Sequence, residues 1–323
     1  LMSFDMEACH SSQQSNVTSY GVMALAIMSL EVFAGMWINA FIICVLCITW
    51  VKKKTLNSNE KILLLLGCSR FCYLCITWVY KFLSFIYPNC LYVQPTFQGI
   101  IFLQSFFTCS NLWVSACLSV FYCIKIANFR NRFFIYLKVK TDRIVPRLLL
   151  ASLLSALVIS IIACDLAVTR LRNSHNSTGQ GNSSKLSGEM DEIFFQTYLI
   201  YGFGFAISFT AVICSTLLLL FSLWRHKCKM QKNSMNSLSV DAHIKAMKSI
   251  LSFFIIYSMN FMFLILSRNK STNGGNYVMF LSLIFLCAFP SVHSLILIFS
   301  NPKMEKTLIK ILYLVDGLGA KGQ

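Results

Sequence analysis

The sequence has few charged residues and few residues that interrupt helices. Only 12% of its 323 residues are Asp, Glu, Lys or Arg, whereas soluble domains usually carry about 25%. There are only five prolines and 14 glycines. The shortage of charge excludes an ordinary soluble domain. The shortage of proline favours long, uninterrupted helices.

Sequence motifs of catalysis and metal binding are also missing. There is no HExxH pair and no glycine-rich phosphate loop, and the five histidines never pair with carboxylates or cysteines at ligand spacing. Most of the 14 cysteines lie inside apolar runs, where they act as small hydrophobic residues. We therefore expect no enzyme, no metal site and no cofactor.

What the chain does contain is apolar sequence, which makes up 56% of its residues. Seven runs are long enough to span a bilayer, at about 22–51, 62–83, 97–126, 144–167, 193–224, 246–267 and 277–300. The predicted fold class is an all-α membrane protein with a seven-helix domain at 22–300. An N-terminal segment at 1–21 and a tail at 301–323 flank it. Residues 1–20 lack the apolar stretch of a cleavable signal peptide, so we expect the first span to target the chain to the membrane.

Basic residues and glycosylation acceptors predict the same orientation. Twenty-one of the 28 lysines and arginines fall in the tail and in the connections on one face, which predicts a cytosolic C-terminus and an extracellular N-terminus. The net charge of +16 thus follows membrane topology, and we expect no nucleic-acid partner. The Asn-x-Ser/Thr acceptors lie on the opposite face, at Asn16, Asn176, Asn182 and Asn269, and we expect glycan on the first three. In the tail, alternating apolar and basic residues from Met304 to Leu314 predict a short amphipathic helix on the inner leaflet.

Four polar residues inside the predicted spans fall at similar depth. At ~1.5 Å per residue, Arg70 lies about 14 Å and Asn39 about 18 Å from the cytosolic end, and His293 and Ser294 lie about 11–12 Å from it. Polar groups in a bilayer are costly, so we expect Arg70 to donate hydrogen bonds to the other three. Such a cluster fastens three helices together, takes part in a conformational switch, or does both.

The outer half of the third span carries polar residues on one helical face, at Gln104, Thr108 and Asn111. Isolated polar groups among Phe side chains are typical of a small-molecule pocket, although interhelical hydrogen bonding is the alternative. Glu31 lies too far toward the outer side to reach Arg70. It faces either the ligand cavity or a helix-packing interface.

Five stretches in order along the chain resemble the type 2 (bitter) taste receptors. They comprise Glu31 to Asn39 with Ser69-Arg70, the third-span string from Leu118 through Lys125 to Asn128-Phe129, Leu223-Trp224-Arg225-His226, His243-Ile244-Lys245-Ala246-Met247-Lys248, and Pro290-Ser291-Val292-His293-Ser294. That family consists of seven-helix G-protein-coupled receptors. The resemblance covers about residues 22–312.

The resemblance implies a plasma-membrane receptor that senses small, mostly apolar bitter compounds and activates a gustducin or Gi type heterotrimeric G protein. The membrane itself supplies lipid contacts. The implied ligand-binding residues are Gln104, Thr108, Asn111, Phe205, Asn260 and Leu283, and the implied coupling residues are Tyr122, Lys125, Arg225, His226, His243 and Lys248. The alternatives are a vomeronasal type 1-like chemoreceptor and, in another class, a small-solute transporter.

The chain departs from the pattern of that family in its outer half. Ser208 stands where the fifth helix often has proline, Asn260 where tyrosine is frequent, and Gln104 where tryptophan is common. These departures predict an unusual set of agonists. The outer loop at 168–192 has no cysteine, and whether Cys9 pairs with Cys90 is left open.

Overall fold

The computed structural model describes residues 19–86, 95–127, 131–177, 183–232, 237–268 and 275–319. Within these ranges the chain forms eight helices and no strand. The helices are α1 (Ser19–Lys53), α2 (Ser58–Ile86), α3 (Thr96–Ile126), α4 (Arg132–Ser177), α5 (Ser183–Lys232), α6 (Ser237–Arg268), α7 (Gly275–Ser300) and α8 (Pro302–Gly319). We call the end of the bundle where α1 gives way to α2 the inner end, in keeping with the predicted orientation.

The prediction of an all-α membrane bundle is confirmed, because each predicted span falls inside one of α1 to α7. α1 to α5 each contain a described stretch long and apolar enough to cross a bilayer, and α6 and α7 contain the shorter apolar stretches Ile250–Leu266 and Ile284–Ser300. The helices extend beyond the predicted spans. α4 begins twelve residues before the predicted start of its span and runs through Pro146. An apolar run locates only the part of a helix that lies within the bilayer. The polar turns that extend the helix beyond the bilayer cannot be predicted from it.

Six of the seven long helices form a ring, and α3 lies inside it. α1 contacts α2 and α7, while α3 contacts α2, α4 and α5, and α6 closes the ring between α5 and α7. Large apolar side chains cover the outside of this ring, with Trp37 of α1 79% exposed. Lipid acyl chains can pack against such an apolar surface, whereas its exposure to water would be unfavourable.

Two cores fill the bundle. The inner core joins α1, α2, α3, α4, α7 and α8 through residues such as Leu46, Leu66 and Met304. The outer core joins α3 to α7 around Leu112, Tyr257 and other aromatic side chains. The buried polar groups described below lie where these two cores meet.

Local sequence explains the short turn between α1 and α2. Lys54 adopts a left-handed conformation with a φ of 58°, and its N–H donates to the Trp50 carbonyl at 2.7 Å, which ends α1. Three residues later, the Asn57 N–H donates to Glu60 Oε2 at 3.0 Å, and the Lys61 N–H donates to the Asn57 carbonyl. This is half of a capping box, and it begins α2.

The α7–α8 junction bends the chain by 102°. Asn301 caps α8 by accepting a hydrogen bond from the Lys303 N–H at 3.1 Å, and Pro302 occupies the first helical position. The Lys303 ammonium donates to Thr49 of α1 at 2.9 Å and lies 3.7 Å from the Glu60 carboxylate of α2. α8 therefore turns away from the bundle axis as an amphipathic helix, as its sequence predicts, and is tied to α1 and α2.

Candidate functional site

A buried arginine joins two other helices directly at the centre of the bundle. Arg70 of α2 has no exposed surface. Its Nε donates to Asn111 Oδ1 at 3.0 Å and its Nη2 to Ser115 Oγ at 3.3 Å, both on α3. Its Nη1 donates to Ser294 Oγ of α7 at 2.8 Å, and Nη2 also contacts His293 Nδ1.

The same network reaches α1 through Ser294. The Ser294 hydroxyl accepts from Arg70 and donates to Asn39 Oδ1 at 2.7 Å. Asn39 Nδ2 in turn donates to the Gly35 carbonyl one turn away, at 2.8 Å. We call Asn39, Arg70, Asn111, Ser115, His293 and Ser294 the polar knot. It ties α1, α2, α3 and α7 together at one level of the bundle.

The guanidinium of the polar knot contacts no carboxylate among the described residues. It donates hydrogen bonds to neutral oxygen and nitrogen atoms, and it lies over the face of Phe289, whose ring centre is 5.8 Å away. A buried cation is costly unless its donors are satisfied. The geometry of Arg70 therefore depends on each of these bonds.

His293 serves as an acceptor within the polar knot. Its Nδ1 faces the Arg70 donor, so the ring proton of a neutral imidazole belongs on Nε2. Nε2 is buried and has no partner among the described residues. The ring packs against Phe253 and Phe289, with centroid distances of 4.5 and 5.7 Å.

The structure brings together the four residues expected at this level, although Arg70 reaches Asn39 only through Ser294, and it places a fifth residue with them. We expected Asn111 in the outer pocket, but its amide oxygen accepts from Arg70 instead. Sequence reasoning also missed Ser115. Asn111 and Ser115 are four residues apart and so share one face of α3, which is a signal that the depth estimate did not use.

The other predicted pocket residues lie in the outer half of the bundle. Thr108 is buried, and its hydroxyl donates to the Gln104 carbonyl at 2.6 Å, while the side chain of Gln104 is half-buried. Phe205 and Asn260 are buried on α5 and α6. The side chain of Leu283 lies outside the described residues. Glu31 Oε2 is buried and finds no hydrogen-bond partner in the described part of the chain.

Tyr257 of α6 connects this outer region to the polar knot, and nothing in the sequence pointed to it. Its hydroxyl lies 3.3 Å from both the Leu112 carbonyl of α3 and Ser208 Oγ of α5. Its ring meets Phe289 edge-on at 6.3 Å, and Phe289 in turn touches Arg70 and His293. The Phe209 ring lies 6.4 Å from the Tyr257 ring and stacks on Phe261 with centroids 4.3 Å apart.

At the inner end, three predicted coupling residues are described. Tyr122 is half-buried and packs between the inner core and a smaller cluster around Leu219 and Leu223 of α5. Lys125 is exposed, with its Nζ 5.3 Å from the centre of the Phe121 ring, and Arg225 is exposed on α5. The side chains of the other three coupling candidates, and of the glycosylation candidates, lie outside the described residues: His226, His243, Lys248, Asn16, Asn176 and Asn182.

Comparison with known proteins identifies one family along nearly the whole chain. The sequence model of the family described as "Taste receptor protein (TAS2R)" matches residues 17–316. Human taste receptor type 2 member 2 is 31% identical over 301 residues, which cover 91% of this chain and 96% of that protein. Member 9 from Pongo pygmaeus is 30% identical, with coverage of 88% and 91%, and rat member 103 is 30% identical, with coverage of 90% and 92%.

Proposed function

The chain belongs to the TAS2R family of taste receptors, and on that premise we propose that it binds small, mostly apolar bitter compounds in the outer half of the bundle and activates a gustducin-type G protein. Members of this family are bitter taste receptors and G-protein-coupled receptors, not enzymes. Small-molecule ligands and a G protein are therefore the partners to expect. We further propose that the receptor acts in the plasma membrane with its N-terminus outside, which would place Asn16, Asn176 and Asn182 where glycan is added.

The composition of the outer half supports a pocket for mostly neutral compounds. Aromatic side chains line the outer core, and the candidate polar contacts, Gln104, Thr108 and Asn260, are neutral. A carboxylate in the pocket would select amines, but the described residues of α3 and α7 include no Asp or Glu. Binding would then rest on apolar burial at ~25 cal/mol per Å² with one or two hydrogen bonds, and roughly micromolar affinity would result.

The contact path from Phe209 to Arg70 is the observation that carries the proposed mechanism. It runs from the stacked Phe209 and Phe261 through Tyr257 and Phe289 to the polar knot. A ligand that prefers one arrangement of these side chains shifts the population toward it. The knot joins four helices, so this shift would change how their inner ends are spaced and open a groove for a G-protein α subunit.

Agonist-evoked calcium release in cells that express the receptor with a gustducin-type G protein tests the proposal directly. We expect neutral bitter compounds to evoke responses at micromolar concentration, and cells without the receptor to stay silent. A transporter would give uptake of the compound with no dependence on the G protein. That result would exclude the proposed function.

The pocket is tested by Gln104→Met, which keeps the side-chain length but removes the amide. We expect agonists that hydrogen-bond to Gln104 to lose about fivefold in potency, because a net hydrogen bond contributes ~1 kcal/mol. Purely apolar agonists should keep their potency, so the ranking of agonists changes. Thr108→Ala should act more weakly, since the Thr108 hydroxyl already donates to the Gln104 backbone. An equal loss for every agonist at constant surface expression would contradict this placement of the pocket.

The coupling surface is tested by Lys125→Ala at the inner end of α3. We expect a lower maximal calcium response at unchanged surface expression, because an exposed cation there would face the G protein. Replacing Lys52, Lys53 and Lys54 by Gln is the matched control, since these lysines are exposed at the end of α1, which contributes no proposed coupling residue. Equally small effects of the two changes would mean that these lysines serve topology alone.

A further inference from the structure

An apolar groove, partly open at the protein surface, lies in the inner half of the bundle between α3 and α4. Its walls include Val120 and Ile124 of α3 and Leu137, Thr141, Ile144 and Leu148 of α4. The Thr141 hydroxyl is occupied, because it donates to the Leu137 carbonyl at 2.8 Å and lies 3.0 Å from the Lys138 carbonyl. The groove therefore offers almost only hydrocarbon surface, and it lies well away from the ligand pocket proposed above.

A ridge of basic side chains runs along α4 beside this groove. Lys140, Arg143 and Arg147 are spaced by three and four residues, so they share one helical face, and all three are exposed. Arg143 and Arg147 directly precede Ile144 and Leu148, which line the groove. We call these three residues the basic ridge.

The nearest carboxylate along the helix does not neutralise this ridge. Asp142 points to α2, where its Oδ1 accepts a hydrogen bond from Ser58 at 2.5 Å. Lys140 is held by Tyr136, with its Nζ 3.0 Å from the hydroxyl and 4.5 Å from the ring centre. The side chains of both arginines are exposed, and they form no salt bridge among the described residues.

We propose that the groove and the basic ridge together bind one anionic phospholipid of the inner leaflet. An acyl chain lies in the groove against Val120 and Ile144, and the phosphate meets Arg143 and Arg147. Guanidinium groups bind phosphate oxygens in a paired, directional way, which a general attraction to the membrane surface does not supply. Anionic phospholipids are concentrated in the cytoplasmic leaflet, and each nearby basic residue strengthens their binding.

The experiment uses the full chain in nanodiscs of phosphatidylcholine with a minor fraction of phosphatidylserine. Native mass spectrometry counts the phosphatidylserine that stays with the receptor after release from the disc. We expect wild type to retain one molecule and the K140Q/R143Q/R147Q variant to bind on the order of 100-fold more weakly, from the contribution of three basic residues. The K52Q/K53Q/K54Q variant removes three charges elsewhere at the inner end and should behave as wild type.

A second variant separates the groove from the charge. Ile144→Trp fills the groove and leaves the basic ridge intact, so it should also lose the retained phosphatidylserine. Unfolding temperatures in pure phosphatidylcholine discs show whether each variant is folded. Where the triple variant does not insert, R143Q and R147Q singly make the same comparison with smaller losses.

Three results would overturn the proposal. The basic ridge is not a site if its variant retains phosphatidylserine like wild type. The attraction is general to the inner surface if K52Q/K53Q/K54Q loses as much as the ridge variant. The groove holds no acyl chain if Ile144→Trp leaves retention unchanged. Because the readout is lipid retention, failure here leaves the proposed receptor function standing.

Discussion

Replacing Arg70 by leucine is expected to abolish agonist-evoked signalling. The change removes the donor for Asn111, Ser115, His293 and Ser294 at once and leaves their polar atoms buried. Each interhelical hydrogen bond in a membrane contributes ~0.6–2 kcal/mol. Losing several of them is comparable with the whole stability of a typical domain, which is only ~5–15 kcal/mol.

Ser69→Ala is the matched control for this change. Ser69 is the neighbouring residue on α2 and is buried, but its hydroxyl has no partner in the described part of the chain. We expect this variant to reach the surface and signal as wild type does. Surface labelling measures how much of each variant reaches the cell surface, and calcium release measures its signalling. Normal signalling by Arg70→Leu would show that the polar knot has no importance for function.

Surface labelling of Arg70→Leu also decides between the two roles left open for the polar knot. A variant that is absent from the surface means that the knot mainly fastens α1, α2, α3 and α7. A variant that reaches the surface and binds agonist but does not signal means that the knot takes part in the switch. The contact of Arg70 with Phe289, which leads to Tyr257, is the arrangement that a role in the switch would require.

Gly35→Val is expected to prevent correct packing of α1 against α7 and so to remove most receptor from the surface. A Cβ at Gly35 would overlap the Ser291 hydroxyl and come within 2.8 Å of Leu74 Cδ1. Overfilling such a contact typically costs ~1–3 kcal/mol. The strain also falls one turn from Asn39, whose amide donates to the Gly35 carbonyl. Loss of thermal stability of purified receptor, alongside lower surface labelling, measures the effect.

Gly99→Val isolates the packing effect from the change in helix propensity. Gly99 lies near the start of α3, and an added Cβ there would meet no atom within 4 Å. Both variants introduce the same β-branched residue into a helix, so any propensity effect is shared. Similar losses for the two variants would indicate that close approach at Gly35 is not the cause.

Patterns along single helices made much of this architecture predictable. Apolar runs located α1 to α7, because lipid demands an unbroken hydrophobic stretch from every spanning helix. Counting residues from the inner end put Arg70 level with Asn39, His293 and Ser294, since the rise per residue of a helix is fixed. Asn111 was assigned to the pocket from the helical face it shares with Gln104 and Thr108, yet its amide oxygen accepts a hydrogen bond from Arg70. Depth gives the level of a residue but not the neighbour toward which the helix turns it.

The sequence by itself determined the membrane class of this protein, its seven spans, the amphipathic α8 and the family to which it belongs. These features follow from hydrophobicity, charge and short sequence motifs. Each of these properties has its effect within a single helix or turn. Only the tertiary structure decided that Asn111 and Ser115 complete the polar knot, that Tyr257 and Phe289 lead to it, and that α3 and α4 leave an apolar groove beside a basic ridge. Those arrangements depend on how neighbouring helices are rotated and packed. Contacts between side chains far apart in the sequence determine that packing.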